Sequence, residues 1–406
     1  MKAIEVFPAT REVKLTDRAE PTLTEPTQVK LRMLDVGVCG TDKEICSFEY
    51  GAPPDGSASL ILGHESLGEV IEVGAAVDDL KVGDLVVAMV RRPCSHPDCL
   101  PCRTGHQDFC VTGDYTESGI KGRHGFMAEL VVDEARYLNV VPPELRESAV
   151  LVEPLTIAAK AFTQTVKIMR RLPWFDPDQL REANRAKYRA LVLGTGAVGL
   201  LGAMVLRNIG FETYVYARTP APNPKSQVVE AIGATYVSAQ DTSQQFSHLV
   251  GSVDFVYEAV GSSQLAFRAM KMLGPNSIFI FTGVPALNAP SDVDTDAIMR
   301  AAVLKNQVIL GTVNAGQAEY HAAIRALASI SQRWPAAVQA LISGRYPPDA
   351  YHDLLLHSTS GIKNVLTFVT TTHAPSPSQA PQARRAQRAA SGHAQQLPPV
   401  GVAESP

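Results

Sequence analysis

Arg189-Ala190-Leu191-Val192-Leu193-Gly194-Thr195-Gly196-Ala197-Val198-Gly199 is the stretch that decides the fold. Its first five residues form an apolar run of strand length, and the pattern from Ala197 to Asn208 predicts a helix. A Gly-x-Gly-x-x-Gly string is weak evidence alone. Between an apolar strand and a helix it reads as a dinucleotide-binding turn. Gly194 permits the tight turn, Gly196 lets the backbone approach a pyrophosphate, and Gly199 allows helix and sheet to pack closely. Thr195, Ala197 and Val198 complete the turn, where N–H groups and the helix dipole favour an anion. Thr213 to Tyr216, Val253 to Tyr257 and Ser277 to Phe281 read as further buried strands with helical stretches between them. This βαβ array predicts an α/β chain with a doubly wound parallel sheet.

The chain has 406 residues, enough for a second domain. Upstream of the array, Gln28 to Asp35, Gly68 to Val73 and Asp84 to Val90 read as short strands. Gly and Pro punctuate them, which predicts a partly closed β domain. Downstream, Lys363 to Val369 reads as a strand after a helical segment around Ala322 to Ile330. The pattern leaves open which domain that strand joins. From about Thr370 to Pro406, Ala, Pro, Gln and Ser dominate, and a disordered tail is expected.

The composition is 45% hydrophobic and 19% charged, with a net charge of -4. That balance argues against nucleic acid or an anionic membrane as the main partner. Met1 to Leu15 carries Glu5, Arg11, Glu12 and Lys14 and has no apolar core, so no secretory signal is expected. The most apolar stretch, Leu191 to Leu206, is broken by glycines and too short for a membrane span. Four of the six cysteines, Cys94, Cys99, Cys102 and Cys110, share one short segment. Without a signal, that clustering points to metal rather than disulfides and to a cytoplasmic setting.

Cys39, His64 and Glu153 are candidate ligands of a catalytic zinc, a metal that keeps one position open for water or substrate. Glu65 is either a fourth ligand that exchanges with water or an outer group active in catalysis. The Thr41 hydroxyl, two residues after Cys39, is placed to carry a proton toward solvent. Singly, a cysteine or a His-Glu pair is more often packing or surface. Together, upstream of a nucleotide fold, they point to alcohol oxidation by hydride transfer. The cysteine segment has spacings of x4, x2 and x7, which suit a closed structural zinc site. A metal-free loop or a redox pair at Cys99 and Cys102 are the competing readings. After the second strand the chain reads Ala217-Arg218-Thr219, with no acid to bond a ribose 2′-hydroxyl. Arg218 could pair with a 2′-phosphate, so NADP is expected, with NAD tolerated.

With these residues in hand, the chain resembles the zinc-dependent medium-chain dehydrogenase family, and most of all its archaeal-type glucose 1-dehydrogenases. The likeness spans roughly residues 1–369. Cys39-Gly40-Thr41-Asp42-Lys43-Glu44-Ile45, Leu62-Gly63-His64-Glu65, Val90-Arg91-Arg92-Pro93-Cys94, Gly125-Phe126-Met127-Ala128-Glu129, Leu151-Val152-Glu153-Pro154-Leu155 and Gly311-Thr312-Val313-Asn314 carry it. The resemblance implies a GroES-like catalytic domain over 1–156, a Rossmann domain over 157–314 and a segment over 315–369 that returns to the catalytic domain. It leaves the tail, 370–406, without a counterpart. It implies one catalytic and one structural zinc, and oxidation of an aldose at C1 to the lactone. Thr41, Glu117, Glu153 and Asn314 would meet the sugar. Val260, Gly261, Gly283 and Val284 would lie against the nicotinamide half. A homo-oligomer, dimer or tetramer, would form through the nucleotide domain.

The chain departs from that pattern in the cysteine loop. Relatives space the ligands x2, x2, x7, which counts back to His96, whereas counting from Arg91-Arg92 selects Cys94. The sequence favours Cys94, with His96 the alternative. One arginine of the relatives' run after the second strand is also missing at Ala217-Arg218-Thr219. A polyol or threonine dehydrogenase on the same scaffold is the competing enzyme. A non-catalytic binding or scaffold protein is the competing class. The sequence does not separate glucose from galactose or xylose.

Overall fold

Ala190, Leu191, Val192 and Leu193 are fully buried, as befits a strand covered on both faces. In the computed structural model they lie in the strand Arg189–Leu193 of a six-stranded parallel sheet. Residues 1–176, 188–240, 250–285, 292–357 and 359–368 are described. The expected disorder of 370–406 lies outside the described residues.

The sheet runs, edge to edge, Thr235–Ser238, Glu212–Ala217, Arg189–Leu193, Val253–Glu258, Leu273–Phe281 and Val308–Gly311. Strand order therefore reverses between Arg189–Leu193 and Val253–Glu258. Doubly wound sheets take their ligands at that switch point, beyond the carboxyl ends of the strands. The helix Ala197–Asn208 has the predicted bounds. Thr235–Ser238 and Val308–Gly311 were not among the expected strands. Both are short edge strands, and Val308–Gly311 has no fully buried residue to mark it.

The upstream strands form a separate, mainly antiparallel sheet. Gln28–Gly37 pairs with Glu65–Val73 on one side and with Leu130–Glu134 and Lys363–Thr367 on the other. The last strand thus joins the first lobe. Asp35, fully buried, ties the same ends together. It accepts from Arg146 at 2.6 Å and from Thr367 at 2.8 Å, and pairs with Arg345 at 2.7 Å. The helix Val152–Met169 packs on Ala197–Asn208 and on Gln317–Arg333. Among the described residues no helix is long and apolar enough to cross a membrane.

Candidate metal and cofactor sites

Cys39 caps the helix Gly40–Cys46, and Asp42 is the third residue of that helix. The buried Asp42 carboxylate reaches both ways. Oδ2 accepts the Cys39 N–H at 2.8 Å, and Oδ1 lies 3.3 Å from His64 Nδ1. One carboxylate therefore orients two candidate ligands, a role the sequence reading did not give it. The ligand atoms of Cys39, His64 and Glu65 lie within 4.8 Å of one another. Burial opposes a charge on His64, but Asp42 and Cys39 beside it hold its pKa well above the usual value. A proton and a metal ion would compete for this imidazole.

Glu65 is engaged by a residue from the other end of the chain. Lys363 Nζ donates to both carboxylate oxygens at 2.6 Å, and to the Val38 carbonyl at 3.2 Å. Burial lowers the Lys363 pKa, but the Glu65 charge more than restores it. Gly37 makes the arrangement possible, since a Cβ there would stand 2.1 Å from Glu65 Oε2. Thr41 Oγ1 lies 4.0 Å from Cys39 Sγ. Glu153 stands outside the tight cluster but close enough to feel it. Burial and then Glu65 raise its pKa to about 7, against His64 and Lys363.

Cys94, Cys99, Cys102 and Cys110 bring their sulfurs within 4.8 Å of one another. All four are free thiols. His96 turns away, its Nε2 2.5 Å from Asp114. The four-cysteine grouping thus holds Cys94 and not His96. Burial pushes Cys102 up to about 12. Burial also opposes ionisation of Cys110, yet the Thr112 hydroxyl and nearby N–H groups bring it down to about 6. Four sulfurs at this spacing, with no S–S bond, suit a tetrahedral zinc that would hold them all as thiolates.

At the switch point, Gly194 takes a φ of 110°, and a Cβ on Gly199 would stand 2.3 Å from the Gly194 carbonyl. A Cβ on Gly196 would instead enter open space, the approach that a pyrophosphate needs. Thr195 and Ala197 are buried and Val198 partly so. A cavity of about 590 Å³ adjoins the turn, lined by Gly194, Gly196, Arg218, Lys225, Val260 and Arg268 among others, and among the described residues by no carboxylate. Lys225 and Arg268 join Arg218 there, though sequence spacing singled out neither. Glu258 also escaped the sequence reading. Its buried carboxylate accepts the N–H groups of Val260 and Gly261, each at 2.8 Å, and that of Gly283 at 3.2 Å. It clamps the two strand-end turns together, with Val284 exposed beside them.

The two expected sugar contacts meet. Asn314 Nδ2 donates to Glu117 Oε1 at 2.8 Å. Asn314 adopts a left-handed φ of 57°, which asparagine tolerates better than most residues. Glu117 sits on Thr116–Ser118 in the first lobe, and Asn314 follows the sheet's last strand.

Comparison with known proteins gives a consistent result. Residues 146–368 match the family described as glucose dehydrogenase C-terminus, and residues 25–143 match the alcohol dehydrogenase GroES-like domain. The chain is 39% identical to the glucose 1-dehydrogenase of Methanocella arvoryzae, over 85% of this chain and 93% of that one. It is 38% identical to the glucose 1-dehydrogenase of Thermoproteus tenax, over 91% of this chain and all of that one. Among solved structures it is similar to Haloferax mediterranei glucose dehydrogenase in complex with NADP, zinc and gluconolactone. That match has a TM-score of 0.81 at 29% identity and covers 91% of this chain and all of that one.

Proposed function

The chain belongs to the zinc-dependent medium-chain dehydrogenase family, in its glucose dehydrogenase branch, and on that premise we propose how its residues serve the reaction. The enzyme oxidises glucose at C1 to the lactone, with zinc as the metal and NADP as the hydride acceptor. Convergence of Cys39 with the adjacent pair His64 and Glu65 carries the reading, because a thiol, an imidazole and a carboxylate from two segments far apart in sequence come within 4.8 Å of one another. Bound zinc would supply Lewis acidity at the substrate oxygen, and the nicotinamide would accept the hydride.

The chain's own groups do the rest. Cys39 and His64 would hold the metal, with Glu153 as the third ligand. Glu65 balances charge behind them through Lys363, whose grip on both its oxygens favours that role over direct ligation. Thr41 passes the released proton outward. Glu117, Asn314 and Glu153 read the sugar hydroxyls, and a site of polar groups discriminates strongly against analogues that leave them unpaired. N–H groups from Gly194 to Gly199 take the pyrophosphate, and Gly261, Gly283 and Val284 flank the nicotinamide half. Arg218 pairs with the 2′-phosphate. Cys94, Cys99, Cys102 and Cys110 hold a structural zinc.

Three further parts of the reading concern the whole protein. Domain limits near 156 and 314 are supported by the pairing of Lys363–Thr367 with Gln28–Gly37, which returns the chain to its first lobe. A homo-oligomer through the nucleotide domain is supported by the edge strand Val308–Gly311 and by the exposed Val303, Leu304 and Ile309. A cytoplasmic setting is supported by the free thiols.

The decisive assay follows NADP and NAD reduction on glucose, galactose, xylose, sorbitol and L-threonine, with metal content measured alongside. Glucose turnover with NADP and two zinc ions per chain, one for each cluster, is expected. Turnover of sorbitol or L-threonine without any aldose would overturn the sugar reading.

A further inference from the structure

Arg91 opens the segment that leads into the cysteine loop and is only 4% exposed. Its guanidinium donates from Nε to Glu117 Oε1 at 3.1 Å, and Nη2 lies in ion-pair contact with the same oxygen at 3.0 Å. Nη1 donates to the Asp108 carbonyl at 3.4 Å, and the group stacks 3.6 Å from the Tyr115 ring centroid. Asp108 belongs to the 3-10 turn Gln107–Phe109, which runs directly into Cys110. A second buried cation grips the same turn. Lys160 Nζ donates to Asp108 Oδ2 at 2.6 Å and to the Val313 carbonyl, next to Asn314, at 2.9 Å. Lys160 stands two helical turns beyond Glu153, on the same face of Val152–Met169.

Two features of this run stand out. Stability alone does not account for it, since buried ion pairs commonly exchange for apolar packing without loss. Its contacts on Glu117 are also one-sided. Arg91 and Asn314 both engage Oε1, and neither engages Oε2. A carboxylate pinned at one oxygen points the other in a fixed direction, which a rigid polyol ligand can read.

We propose that Arg91 is a positioning residue for the sugar: by pinning Oε1 of Glu117 it aims Oε2 at a substrate hydroxyl, and it carries the geometry of the cysteine loop into that aim. The proposal rests on the aldose reading above. Its premise is that Glu117 meets the sugar, and it adds what sets the direction of that contact.

The test uses the full-length, zinc-loaded enzyme and its Arg91→Met and Arg91→Lys variants. KM and kcat are measured on glucose and galactose, with NADPH affinity by fluorescence and zinc content. Arg91→Met should raise the glucose KM by about tenfold or more, the scale of a lost charged hydrogen bond. It should lower kcat far less, narrow the preference between the two epimers, and leave NADPH affinity and zinc content unchanged. Arg91→Lys should recover part of the loss, because an ammonium keeps the charge but not the planar guanidinium that reaches Glu117 and the Asp108 carbonyl together. An unchanged glucose KM in zinc-loaded Arg91→Met overturns the proposal. So does a joint shift of KM, NADPH affinity and zinc content, which marks general damage. If Arg91→Met does not fold, Arg91→Lys decides: a raised KM at constant kcat supports the proposal, and an unchanged KM overturns it. Absence of aldose turnover in the wild type would sink the parent reading and this one together, before any variant is compared.

Discussion

Asp42 touches two of the proposed zinc ligands without being one itself. It accepts the Cys39 N–H and faces His64, so it would hold the loop of one proposed ligand and raise the basicity of the other. Carboxylates behind metal-bound histidines act this way widely. Asp42→Asn should keep the fold and weaken zinc at the catalytic site by about 10–100-fold. Competition with a fluorescent chelator measures this, and an affinity equal to wild type would refute the role. Cys39, His64 and Glu65 were readable in the sequence because each sits in a short distinctive string. Lys363 was not, because 298 residues separate it from the Glu65 carboxylate it holds. Glu258 was missed for another reason. An acid at the end of a buried strand reads as ordinary until three N–H groups converge on it.

At the scale of elements, the central strand and its helix were the most readable parts, since burial on both faces leaves a continuous apolar run. Edge strands with mixed burial gave no such run. The cysteine loop was readable in composition but ambiguous in spacing, and only its three-dimensional path separates Cys94 from His96. Cys102→Ser should release one zinc ion per chain and lower thermal stability, because a closed site contributes its binding energy to folding. His96→Ala should retain both ions, as its ring is committed to Asp114 instead. Metal analysis of the two purified variants distinguishes these outcomes, and loss of zinc from His96→Ala would reverse the assignment. The basic lining of the cofactor cavity was likewise half readable. Arg218 stands next to its strand, whereas Lys225 and Arg268 reach the same cavity from other elements.

Across the whole molecule, distant stretches of chain are bound through few points. Asp35 takes donors from Arg146, Arg345 and Thr367 and is itself fully buried. Both arginines reach solvent in part, which tempers the cost of losing them as partners. Asp35→Ala should therefore destabilise the protein by about 1–3 kcal/mol, the penalty for a broken buried polar contact. Denaturant titration would show it as a lower midpoint, and an unshifted midpoint would contradict this account. The residue pattern left open where the final strand goes, because a strand's partner is a long-range choice that no local pattern encodes, and only the family resemblance pointed it back to the first domain.

That strand also fixes an order of events in the making of the protein. Lys363 emerges last of the groups gathered around Cys39, long after His64 and Glu65. A growing polypeptide still threaded through the ribosomal tunnel cannot seat it, and the Glu65 charge stays uncompensated until it arrives. Nascent molecules should thus remain idle until residue 363 has cleared the tunnel, and any product cut short before it should be born without a working centre.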